Sequence, residues 1–267
     1  MINPLKSIEE TSYTLHHPAI PPSINGMTLT QISDIHMGRW VKPHHIKELC
    51  THVNQLEPDL VLLTGDYVGY NKQDIARCAD ALSSLKPTSF AVLGNHDYWA
   101  DAELAQAMFE PTPITLLTNE MVVHSHNETE INIIGVDDHV TGHANVAQAF
   151  QDHDPSQRFG LTLNHVPSIA PECAAAGGHL ILSGHTHNFQ FNIPRLTNRL
   201  AQSFGVKYYA GPYKIKESIL YINRGLGSAS WPWRIRAMPE LTHITLQHGH
   251  HPILEFNQAS LFGVGSR

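Results

Sequence analysis

Between residues 27 and 93 the chain alternates short apolar runs with amphipathic ones, and this alternation leaves few folds open. The runs 27–33, 59–64 and 90–93 have strand length. Leu60-Val61-Leu62-Leu63 is apolar at every position, as a parallel strand covered on both faces requires. After the first run Pro43 opens a helix, and Ile46, Leu49, Cys50, Val53 and Leu56 recur at helical spacing. After the second, Ile75, Cys78, Ala79, Leu82 and Leu85 repeat the pattern until Pro87 stops it. Both stripes read as core. Strand, helix, strand, helix, strand at these lengths predicts right-handed crossovers and a parallel sheet.

Successive parallel strands deliver their carboxyl ends to one edge, where open α/β sheets bind ligands. The residues delivered here are Asp34-Ile35-His36, Gly65-Asp66 and Gly94-Asn95-His96-Asp97, the last read as a turn. Two later apolar runs, 160–163 and 179–182, end at Asn164-His165 and Gly184-His185-Thr186-His187. In extended chain, residues two apart share a face, so Asp34 with His36, and His185 with His187, can each converge on a metal. With Asp66, Asn95 and His165 they make seven nitrogen and oxygen donors, which suit two near-octahedral divalent ions such as Mn, Fe or Zn. Two such ions against two carboxylates leave a net charge of about +2, which attracts an anionic phosphoryl group.

The remainder reads as a helix near 101–109, short strands at 114–117, 121–124 and 131–136 in antiparallel or mixed pairing, and a helix near 144–151. A short helix at 167–176 and strands at 207–213, 218–222 and 243–246 follow. Residues 1–26 carry several prolines and no periodicity, which predicts a surface leader or one edge strand. Residues 27–250 read as a single domain and 251–267 as a tail.

The formal net charge is −7 with no block of Lys and Arg, which argues against a specific nucleic-acid surface. Cys50, Cys78 and Cys173 are odd in number and widely spaced, predicting buried thiols in a reducing compartment. No run reaches the ~18 apolar residues of a transmembrane helix, and the amino terminus lacks the apolar core of a signal peptide; a soluble, cytoplasmic protein is expected. Among 20 histidines, His16, His17, His44, His45, His124, His126, His248, His250 and His251 lie in polar or irregular contexts and read as solvated.

Taken in order, Asp34-x-His36, Gly65-Asp66, Gly94-Asn95-His96-Asp97, His165 and Gly184-His185-x-His187 resemble the five-block signature of the calcineurin-like metallophosphoesterases. Gly135-Val136-Asp137-Asp138 and Arg224-Gly225-Leu226-Gly227 are similar to stretches of its branch of bacterial YkuE-type phosphoesterases. The resemblance implies a four-layer α/β/β/α sandwich, two mixed β-sheets flanked by helices. It implies one metal on Asp34, His36, Asp66 and His187 and another on Asp66, Asn95, His165 and His185, with Asp66 bridging and Mn favoured. The implied reaction is hydrolysis of a phosphodiester or phosphomonoester by a metal-bridging hydroxide. His96 would protonate the leaving oxygen and Asp97 would orient His96.

Where this branch commonly continues the last block with two glycines and a glutamine, the chain has Asn188-Phe189-Gln190. Phe189 therefore adds bulk beside the metals and joins Arg39 and Trp40 as candidate substrate contacts. Trp231-Pro232-Trp233-Arg234 reads as one packed and one exposed tryptophan, beside a reading as a cleft wall or a peripheral membrane contact. Two alternatives accompany the phosphoesterase reading. One is a pyrophosphatase on a lipid-linked nucleotide such as UDP-2,3-diacylglucosamine, and the other a non-catalytic interaction module on the same fold.

Overall fold

A computed structural model describes residues 4–228 and 230–264. β1 (Ile8–His17) precedes β2 (Thr28–Ile32), after which α1 (Pro43–Leu56), β3 (Leu60–Thr64), α2 (Gln73–Leu82), β4 (Thr88–Val92), α3 (Asn95–Ala107) and β5 (Ile114–Leu116) alternate. β6 (Glu120–His126) and β7 (Thr129–Gly135) lead through α4 (Val146–Ala149) to β8 (Gly160–Leu163), α5 (Ala170–Ala175) and β9 (Leu180–Ser183). Then come α6 (Pro194–Ser203), β10 (Gly211–Ile215), β11 (Ser218–Ile222), β12 (Glu240–His248) and β13 (Ile253–Phe262).

Two sheets result, ordered β13-β1-β12-β2-β3-β4-β5 and β10-β11-β9-β8-β7-β6. β2 to β5 run parallel, as the crossovers require. In β3, Val61 and Leu63 face Ile46, Leu49 and Val53 of α1 and Ile75 and Leu82 of α2. Leu60 and Leu62 point the other way, toward Ile133, Leu161 and Leu180 of the second sheet. The outer face of that sheet, with Ile134, Ile181 and Ile222, packs against Val146, Ala149 and Cys173 of α4 and α5. The layers are therefore α/β/β/α, and each fully buried aliphatic side chain contributes roughly 1.5–3 kcal/mol to holding them together.

Several expectations are corrected. The segment read as a leader or edge strand contains β1, which lies inside the first sheet, parallel to β12 and antiparallel to β13. Its polar positions hid it. Half-buried Glu9 pairs with Arg224 at 2.6 Å and the buried Thr11 hydroxyl donates to Glu240 at 2.9 Å, so polar residues sit where a strand of alternating apolar residues would be expected. Residues 253–262 of the expected tail form β13, the sheet's exposed edge. The polar turn expected at 94–97 is the first turn of α3. That helix kinks at Asp101, where an extended residue (φ −176°, ψ 111°) starts its second piece and accepts from Leu104 N at 3.2 Å. The strand expected from 207 begins at Gly211, and α6 lies where no helix was expected.

At the carboxyl end of α1, Leu56 is exposed rather than packed. His17 and His45 are buried instead of solvated, and Trp231 and Trp233 are both exposed instead of one being packed. Cys50, Cys78 and Cys173 are buried free thiols. Among the described residues no helix is long and apolar enough to cross a membrane.

Candidate metal centre

Asp34 follows β2, Asp66 follows β3 and Asn95 opens α3 directly after β4; His165 follows β8, and His185 and His187 follow β9. The carboxyl ends of both sheets thus meet at one rim. Asp34, His36, Asp66, His185 and His187 all have left-handed backbone, with φ between 46° and 70°. That conformation costs a non-glycine residue roughly 1–2 kcal/mol and persists only where its surroundings over-determine it. Leu226 and Gly227 supply part of that constraint, donating from N to Ser33 O at 3.0 Å and Asp34 O at 2.7 Å. Gly184 supplies more, because a Cβ there would overlap Ser33 Oγ and Asp34 Oδ2.

The donors form two groups. In the first, His187 Nε2 lies 3.2 Å from Asp34 Oδ1 and 2.9 Å from His36 Nε2. In the second, His165 Nε2 lies 3.2 Å from Asp66 Oδ2 and 3.3 Å from His185 Nδ1. His36 Nε2, 3.5 Å from Asp66 Oδ2, joins them. Burial pulls His36 down to about 3, and burial with the neighbouring His165 takes His185 to about 4, so both rings offer lone pairs. Burial opposes charge on Asp34 and Asp66, yet the facing His187 and His165 hold both below the usual carboxylate range.

His165 is opposed by burial too, but Asp66 raises it to about 10. Its Nδ1–H donates to the Thr64 carbonyl at 2.7 Å, which leaves Nε2 facing Asp66 Oδ2 and His185 Nδ1. Asn95 Oδ1 is buried with no hydrogen-bond partner. Convergent imidazole and carboxylate donors and an orphaned amide oxygen fit a set of residues that suits a divalent metal.

Beside the donors, His96 is fixed by Nδ1–H donating to the Gly69 carbonyl at 2.9 Å, and its ring packs against Tyr70 and Trp99. Asp97, expected to orient His96, does something else. Its carboxylate accepts four backbone N–H groups, from Asp66, Tyr67, Val68 and Gly94, at 2.8–3.2 Å. Burial and the Asp66 carboxylate push its pKa up, to about 7, while those N–H groups favour the ionised form. Asp137 and Asp138 are buried, and Asp137 accepts from Tyr98 Oη at 2.7 Å, anchoring α3.

Arg234 has a role that no motif signalled. Its buried guanidinium donates to His187 Nδ1 at 2.9 Å and to the carbonyls of Arg224, Gly227 and Ala237. A guanidinium can only donate, so His187 Nδ1 accepts and its ring proton sits on Nε2, where a cation would displace it.

Residues 27–189 match the family model of the calcineurin-like phosphoesterases. The chain belongs to this family. It is 26% identical over 247 residues to the metallophosphoesterase YkuE of Bacillus subtilis, covering 90% of this chain and 86% of that protein. It is 29% identical over 222 residues to the phosphodiesterase YaeI of Escherichia coli, covering 80% of each. Against the UDP-2,3-diacylglucosamine pyrophosphatase LpxG of Chlamydia trachomatis it is 26% identical over 260 residues, covering 76% of this chain and 79% of the other. Family and donor set together make the chain a metal-dependent hydrolase of phosphoric esters.

His36, Asp66, His185 and His187 open into a cleft of about 300 Å³, walled by Tyr70, His96, Phe189 and Ser230. A larger, mostly apolar cavity of about 590 Å³ opens beside His185, lined by Val166, Pro167, Pro171, Phe189 and Tyr208. Phe189, with φ 55°, belongs to both. Arg39 and Trp40 line neither. The Arg39 guanidinium stacks on the Trp40 ring at 4.7 Å, and Trp40 Nε1 donates to the Ser230 carbonyl at 3.4 Å.

Proposed function

We propose that the phosphoesterase holds two divalent ions sharing Asp66 and hydrolyses a phosphodiester or phosphomonoester. Asp34, His36, Asp66 and His187 would hold one ion, and Asp66, Asn95, His165 and His185 the other. Mixed imidazole, carboxylate and amide donors favour Mn over softer ions. When bound, the ions supply positive charge to the phosphoryl oxygens and acidify water enough to make it a nucleophile. The carrying observation is the position of Asp66, whose Oδ2 stands 3.2 Å from His165 Nε2 and 3.5 Å from His36 Nε2, between the two groups.

Tied to the Gly69 carbonyl through Nδ1–H, His96 keeps Nε2 for the cleft, where the doubly protonated ring would give the Nε2 proton to the leaving oxygen. Arg234 steadies His187, and Asp97 steadies the loop that carries Asp66. Three buried free thiols suit a reducing, cytoplasmic setting. The complete donor set and His96 speak against a non-catalytic interaction module.

The test is hydrolysis of bis-p-nitrophenyl phosphate and p-nitrophenyl phosphate by metal-stripped protein, with and without Mn²⁺, in wild type and Asp66→Ala. Expected is Mn²⁺-dependent release that the substitution abolishes; metal-independent release would overturn the reading. A pyrophosphatase acting on a lipid-linked nucleotide is the second reading, favoured by the apolar cavity beside His185. Detergent-dependent cleavage of UDP-2,3-diacylglucosamine, with little release from either small ester, would select it.

A further inference from the structure

Charge is unevenly spread along the chain. Residues 186–239 contain eight of the 17 Lys and Arg but one of the 24 Asp and Glu, in a protein whose formal net charge is −7. α6 lies in this stretch, with Thr197 and Ala201 as its buried contacts. On its solvent side Leu196 (45% exposed), Leu200 (38%) and Phe204 (73%) follow at four-residue spacing, an uncovered apolar stripe. Arg195 and Arg199 run beside it, both exposed.

Asn192 N donates to Ile235 O at 2.8 Å, which joins the start of α6 to the segment carrying the exposed Trp231 and Trp233. None of Arg195, Arg199 and Arg236 forms an ion pair with a carboxylate among the described residues. Arg234, in the same segment, touches His187, so this surface adjoins the metal-centre cleft.

We propose that α6 and the 231–236 segment form a docking surface for an anionic lipid bilayer. An apolar helical stripe enters the acyl boundary, flanking arginines meet headgroup phosphates, and tryptophans favour the layer between. An anionic polymer would engage the arginines but leave Leu196, Leu200 and Phe204 in water. A second copy laid face to face would oppose like charges. Docking does not depend on the reaction proposed above, so the two fail separately.

The full chain, sedimented with phosphatidylcholine vesicles or with vesicles containing about a third phosphatidylglycerol, tests this. Expected is co-sedimentation with the anionic vesicles alone, weakened by salt. Arg195→Gln with Arg199→Gln lowers partitioning about thirty-fold, and Leu196→Ser, Leu200→Ser and Phe204→Ser together abolish it with an unchanged circular dichroism spectrum. Absence of wild-type binding, or binding indifferent to the three apolar substitutions, would overturn the proposal. So would heparin retention that needs the arginines but not the apolar stripe, or a dimer in size exclusion that the triple variant dissolves.

Discussion

Four backbone N–H groups end on the Asp97 carboxylate, and they come from the loop carrying Asp66 and from the turn before Asn95. One side chain thus sets the spacing between donors from two strands. Asp97→Asn turns one acceptor into a donor facing N–H groups, and should lower stability by about 2 kcal/mol or more and weaken Mn²⁺ binding. Thermal melts and metal titration measure both; unchanged values would return Asp97 to a minor role. His96→Ala should leave metal content intact and reduce turnover by a factor on the order of 10². The seven candidate donors could be picked out in the sequence because each sits in a short block at the end of an apolar run. The partners of Asp97 and Arg234 were not, since Asp97 reaches back 31 residues to Asp66, and Arg234 reaches His187 across 47. No local pattern carries such a distance.

Among the elements, the strands and helices of residues 27–93 were readable because burial on both faces or on one stripe imposes a period. β1 escaped because its polar residues find partners far away in the chain, and α6 because its apolar stripe is exposed, with no core partner to argue from. At this scale the junction between the last motif and the first is the most demanding contact. Gly184→Ala would push a methyl group into Ser33 and Asp34 and should cost stability by about 1–3 kcal/mol along with Mn²⁺ affinity. Wild-type metal binding in that variant would mean the loops can part freely. Removing residues 1–17 should abolish the cooperative melt, because β12 and β13 would lose the strand that lies between them.

Across the whole molecule, three histidines beyond the site link stability to pH. Each accepts a hydrogen bond at Nδ1: His17 from Ala19 N at 3.0 Å, His153 from Asn132 Nδ2 at 2.8 Å and His179 from Gly160 N at 2.9 Å. Burial holds all three below the ordinary value, His179 at about 3. Above a pH of about 6.5 both folded and unfolded chains leave them neutral, and their contribution is complete. As pH falls from there toward about 3, the unfolded chain binds protons that the folded one refuses, and stability drops. Denaturant melts at about pH 7 and about pH 4.5 should show this loss, and His179→Gln should reduce it; an equal loss in the variant would acquit the ring.

The order of strands in the first sheet also governs how the molecule is made. β1 emerges before both of its neighbours, which pair with it across more than 200 residues, from Glu9 with Glu240 to Ile8 with Phe262. While the ribosome supplies the intervening chain, that strand has no permanent partner and its edges are open to other chains. The sheet is completed by β12 and β13 closing on β1, so it cannot close before residue 262 has been made.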